Sequence, residues 1–204
     1  MSDCGCEFEV TDEEQKGVLI RLLLINAFMF VFEISLGSYA QSTGLIADSL
    51  DMLTDAIVYG ISLYVIGKSL QNKAKAALVS GWFQATLGAM ILLDIIRRVF
   101  MGSEPVSFIM MIVGVIALIA NIYCLKLIEK HKDGEVHMRA GWIFSKNDVI
   151  ANTGVIIGGL LVWLLDSRWP DLIMGTLISL VIFNGARLII KDARSELAEK
   201  SSSL

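Results

Sequence analysis

Charge is scarce in this chain. Asp, Glu, Lys and Arg make up 19% of its 204 residues, against about a quarter in an average soluble domain. Cysteine is scarce too, with three residues: Cys4, Cys6 and Cys124. Only the first two are close in sequence, and a bridge across one glycine is strained, so a disulfide framework is excluded. There is no basic cluster, which removes nucleic acid as a partner. The net charge of -4 is acidic instead, with much of the excess at Asp3, Glu7, Glu9, Asp12, Glu13 and Glu14. No Gly-x-Gly-Asp sequence occurs, which argues against an intramembrane aspartyl protease built on paired acids. The first apolar run, from Val18, follows an acidic stretch rather than a basic one, so it reads as a span and not as a secretory leader.

What the chain has in quantity is apolar sequence. Hydrophobic residues are 55% of the total, and they fall in runs of membrane-crossing length separated by short polar breaks. The runs predict spans at 18–40, 44–67, 75–98, 105–128, 140–165 and 170–190. Gln41-Ser42-Thr43-Gly44 is a polar turn, and Lys68 to Lys75 carries three lysines. Glu129 to Arg139 is strongly charged, and Pro105 and Pro170 each suit the first turn of a new helix. An N-inside, C-inside arrangement puts 14 of the 17 Lys and Arg residues at the cytoplasmic side, leaving Arg97, Arg98 and Arg168 opposite. The expected fold is therefore all-α: a cytoplasmic tail over 1–17, a six-helix transmembrane domain over 18–191, and a short cytoplasmic tail over 192–204.

Acids inside such helices are expensive, about 2.5–3.5 kcal/mol each at the bilayer centre on insertion scales, and need a partner or a wet cavity. The spans hold Glu33, Asp48, Asp51, Asp55, Asp94 and Asp148, with Asn26, Gln84, Asn121, Asn152 and Asn184 as neutral polar groups. Few basic residues share their depth, so a bound cation is the economical explanation. Asp51 and Asp55 are four apart and share a helix face, with Asp48 nearly aligned. Asp148 and Asn152 repeat that spacing in the fifth span. If spans two and five touch, four oxygen-bearing side chains converge. Glu33 and Asp94 are adequately explained by packing, a proton relay or a helix end. Cys4-Gly5-Cys6 supplies half of a tetrahedral thiolate site, His131 and His137 belong to a charged loop, and Cys124 to the packing of span four. Gly154 and Gly158 fit a small-xxx-small pattern, and Gly175, Ser179 and Gly185 permit close packing between protomers.

The stretch Ser42-Thr43-Gly44-Leu45-Ile46-Ala47-Asp48-Ser49-Leu50-Asp51-Met52-Leu53-Thr54-Asp55 resembles the second-span signature of the cation diffusion facilitators, in which His or Asp precedes Asp by four residues. Asn26, Glu33 and Gly37 fit that family's first span. Ser103-Glu104-Pro105 fits the break before its fourth, Arg139-Ala140 followed by Asp148 the start of its fifth, and Pro170 through Arg187 its sixth. The resemblance implies proton-coupled efflux of a divalent transition metal across the inner (plasma) membrane. Zinc is the first expectation, with cadmium, cobalt, iron and manganese as further candidates. It also implies a homodimer with one transport site per protomer, between spans two and five.

Two departures stand out. The fifth-span position four before Asp148, usually His or Asp, is Phe144. Asn147, Asn152, Asp48 or water then fills the vacancy, or the site has three protein ligands. The expected metal-binding residues are thus Asp51, Asp55 and Asp148, with Asp48, Asn152 and Asn147 as supplements. The family's usual cytoplasmic metal-binding domain is also missing from the sequence. That leaves a second expectation open beside transport, a non-transporting metal sensor or assembly partner.

Overall fold

The computed structural model describes residues 6–65, 70–131 and 136–201. Among them every regular element is helical: α1 Cys6–Tyr39, α2 Thr43–Val65, α3 Leu70–Met101, α4 Ser107–Ile128, α5 Val136–Leu165 and α6 Trp169–Ser201, with one 3-10 turn at Glu129–His131. A helix lies at the position of each predicted span. The polar segments before Val18 and after Lys191 continue α1 and α6 as helix. The side chains of Cys4, Cys6, His131, His137 and Phe144 lie outside the described residues.

Five helices are long and apolar enough to cross a membrane, and only 28–39% of each apolar window is buried. The remainder, including Phe28, Phe108, Ile119 and Trp163, is exposed, a surface that suits lipid rather than water. The exception is α2, where any 18-residue stretch contains Asp48, Asp51 and Asp55. This helix packs against all five others, so its acids are enclosed by protein. The most extensive pairings are α3 with α6, α1 with α2 and α4 with α5.

One end of the bundle is closed by polar contacts between three connections. Arg98 donates to the Gln41 carbonyl, the Val106 amide to that of Ala40 at 2.9 Å, and Arg168 to that of Val99 at 3.3 Å. Asp94 belongs here, paired with Arg97 at 2.7 Å and Arg98 at 2.5 Å. It is a helix-end residue, one of the roles expected from sequence. Gly102 ends α3 with φ +89°, a left-handed conformation that glycine adopts without strain.

The small residues of α5 and α6 let helices of the chain approach one another closely. A Cβ on Gly175 would stand 2.6 Å from Thr43 Cγ2 of α2, and the Ser179 hydroxyl donates to the Gly88 carbonyl of α3. Gly185 faces Gln84 of α3. All three meet a neighbouring helix of the same chain. The Gly154–Gly158 pair likewise receives Met174 of α6, whose side chain would meet a Cβ on either.

Candidate metal centre

The site begins with how α2 is anchored. Ser42 caps the helix by accepting the Leu45 amide at 3.1 Å. The Thr43 and Gly44 amides donate at 2.6 and 2.9 Å to Asp171 from the first turn of α6, and the Ser42 hydroxyl donates to the same carboxylate at 2.6 Å. The Ser42 amide itself donates to the Gly37 carbonyl at 3.0 Å. All four amides that a helix start leaves unpaired are thereby satisfied, two of them by another helix. This fixes α2 against α6 and with it the heights of the aspartates below.

Down α2 from that anchor come Asp48, Asp51 and Asp55. Asp48 is 1% exposed and Asp55 4%, while Asp51 is half-buried. Across the seam α5 presents Asp148 and Asn152, 7% and 0% exposed. The carboxyls of Asp55 and Asp148 face each other within hydrogen-bonding reach, and Asp51 is near enough to act on both through its charge. Tyr59, one turn below Asp55, donates to its carboxylate at 3.4 Å and lies 3.2 Å from the Ser145 hydroxyl of α5. Beneath them Tyr59, Cys124, Leu19, Leu22 and Ile128 form an apolar cluster. Asn152 joins the two halves of the seam. Its amide nitrogen donates to the Asp148 carbonyl at 3.0 Å and to Asp48 at 3.4 Å. Among the described residues the only ion pairs are those of Asp94, so no basic side chain neutralises this group.

Residues 19–198 match the model of the cation efflux transmembrane domain. The chain belongs to the cation efflux family. The zinc transporter ZitB of Yersinia pseudotuberculosis is 26% identical over 203 residues, covering 92% of this chain and 64% of that protein. ZitB of Escherichia coli matches over 202 residues with the same identity and coverage. The vacuolar zinc transporter ZRC1 of Saccharomyces cerevisiae is 29% identical over 133 residues, 58% of this chain and 30% of that protein. This cation efflux chain thus spans less than two thirds of the length of these relatives.

Of the expected ligands, the fold of this cation efflux chain brings Asp55 and Asp148 together, with Asp51 beside them. It does not bring in Asn147, which is exposed. One residue on a helix is a turn of about 100°, so Asp148 and Asn147 cannot both face α2. Nor do four oxygen ligands close into one sphere. Among the described residues no three His, Cys, Asp or Glu side chains stand close enough to hold a metal together. The acids meet in pairs, because seven residues separate Asp48 from Asp55, about 10 Å along the helix. Asp48 turns to Glu33 of α1 instead. Four contributors went unrecognised in the sequence. Tyr59 and Ser145 carried a signal, being four residues after Asp55 and three before Asp148. Asp171, next to a helix-starting proline, reads as a partner for its own helix dipole, and the pairing of Glu33 with Asp48 has no local signature.

Proposed function

We propose that this chain is a secondary transporter, not an enzyme, and that it exports a divalent transition-metal cation, zinc before others, in exchange for protons. The observation that carries this reading is the buried Asp55–Asp148 pair bridging α2 and α5. Two carboxyls in contact within the membrane need a proton or a cation between them. A dication and two protons satisfy the same oxygens, so binding one expels the other. In this account Asp55 and Asp148 are the first ligands, Asp51 joins them as the cation draws α2 and α5 together, and Asn152 ties Asp148 to the upper part of α2. Tyr59 and Ser145 close the lower side. Oxygen ligands discriminate weakly among zinc, cobalt and manganese, so selectivity rests on geometry. The zinc named in the ZitB and ZRC1 relatives supports zinc as the first cargo to test, and the multi-pass helices support a place in a membrane, which we take to be the inner (plasma) membrane. A homodimer follows from the family alone.

Reconstitution into liposomes with a zinc-sensitive dye inside tests the reading. Asp148→Ala should abolish zinc flux while the protein still inserts and elutes as wild type. Full flux in that variant would remove the site.

A further inference from the structure

Above the Asp55–Asp148 pair the seam holds a second group of acids that this transport reading leaves unused. Glu33 of α1 is fully buried, and so, within 1%, is Asp48 of α2. Their carboxyls lie within hydrogen-bonding reach of each other. Neither oxygen of Glu33 has a donor, nor has Asp48 Oδ2. Among the described residues the only donor at the group is Asn152, whose amide nitrogen reaches Asp48 Oδ1 at 3.4 Å. Its own Oδ1, fully buried, is also without a partner. Four buried oxygens from three helices therefore stand with nothing to bind. An unsatisfied buried polar group costs about 1–3 kcal/mol, and more when charged; one shared proton would join the two carboxyls and still leave the Asn152 oxygen unpaired, whereas a cation can take all of these oxygens.

We propose that Glu33, Asp48 and Asn152 form a second divalent-cation station, one that receives the ion between the Asp55–Asp148 site and the end of the bundle closed by Asp171. The proposal rests on the transport reading above. Two carboxylates and an amide oxygen form an all-oxygen ligand set, suited to a hard or borderline dication held with water. The stations are offset by about 10 Å along α2, too far for one ion to bridge and near enough for one step. Asn152 touches Asp48 and is bonded to the backbone of Asp148, so it stands between the two stations. With fewer charged ligands than the site below, the upper station should bind more weakly, as a point of release requires.

Equilibrium zinc binding to the full chain in lipid nanodiscs tests this. Cys4→Ser and Cys6→Ser are included throughout, to remove the tail thiolates. The parent protein should bind two zinc ions per chain, one weaker than the other by about tenfold or more. Glu33→Gln should remove the weaker ion and leave the affinity of the tighter within about twofold. Asp48→Asn, a second variant should Glu33→Gln fail to elute as folded protein, should do the same. A parent that binds one zinc ion, or variants that keep both or lose both together, overturn the proposal. Asp55→Asn should remove the tighter ion alone. Retention of that ion contradicts the transport site and not the Glu33–Asp48 station, so the two failures are distinguishable.

Discussion

At the scale of single residues, the structure divides the membrane-embedded acids by what they face. Asp94 faces arginines, Asp171 faces backbone amides and a hydroxyl, and Glu33, Asp48, Asp55 and Asp148 face one another. The first two are structural, and Asp171 is the one whose loss can be predicted with a magnitude. Asp171→Ala removes the acceptor of three hydrogen bonds and leaves two amides of α2 unpaired. Loss of a helix cap costs about 0.5–2 kcal/mol, so the variant should unfold at a lower temperature in detergent, followed by tryptophan fluorescence. Asp171→Asn, which keeps an acceptor oxygen, should fall between the two. Equal melting temperatures for all three would mean that the α2–α6 anchor contributes nothing. Sequence spacing was enough to put Asp51 and Asp55 on one face of a helix, because a four-residue step on a helix is a geometric statement. It was not enough for Asp171, whose partners lie 127–129 positions away, or for the sideways turn of Asp48 towards α1.

At the scale of helices, the order and positions of all six helices were legible, because apolar run length and polar breaks are local properties, while the helical continuation of α1 before Val18 and of α6 after Lys191 was not. Which helix packs on which was not, and the glycines show why. Gly175 in the α6 sequence marks a close approach without saying to what. The structure answers with Thr43 of α2, the residue whose amide Asp171 also holds. Gly175→Ala forces a Cβ to within 2.6 Å of Thr43 Cγ2, an overpacking that should destabilise by about 1–3 kcal/mol. Gly17→Ala meets nothing within 4 Å and lies inside α1, so it should be neutral or stabilise by up to about 1 kcal/mol. Thermal unfolding of the two variants side by side checks the contrast. An equal response would mean that α2 and α6 do not approach as closely as described.

At the scale of the whole molecule, Asp48, Asp51 and Asp55 sit in the helix that packs against every other one, and Glu33 and Asp148 turn towards it from α1 and α5. Oxygens that take up either a dication or protons give transport a definite sign with pH. Acidifying the side of release protonates the carboxylates and expels the metal, so a proton gradient opposed to zinc should accelerate export. In proteoliposomes with the membrane potential clamped, zinc flux should rise with the imposed gradient. Flux indifferent to it would indicate a uniporter or channel. The central claim is narrower: a divalent cation binds between Asp55 of α2 and Asp148 of α5. Anomalous scattering from crystals of the protein soaked in zinc tests it most directly. The account predicts a peak within coordination distance, about 2.0–2.2 Å, of a carboxylate oxygen from each of these residues. A zinc peak elsewhere in the helices, with none between Asp55 and Asp148, would contradict it.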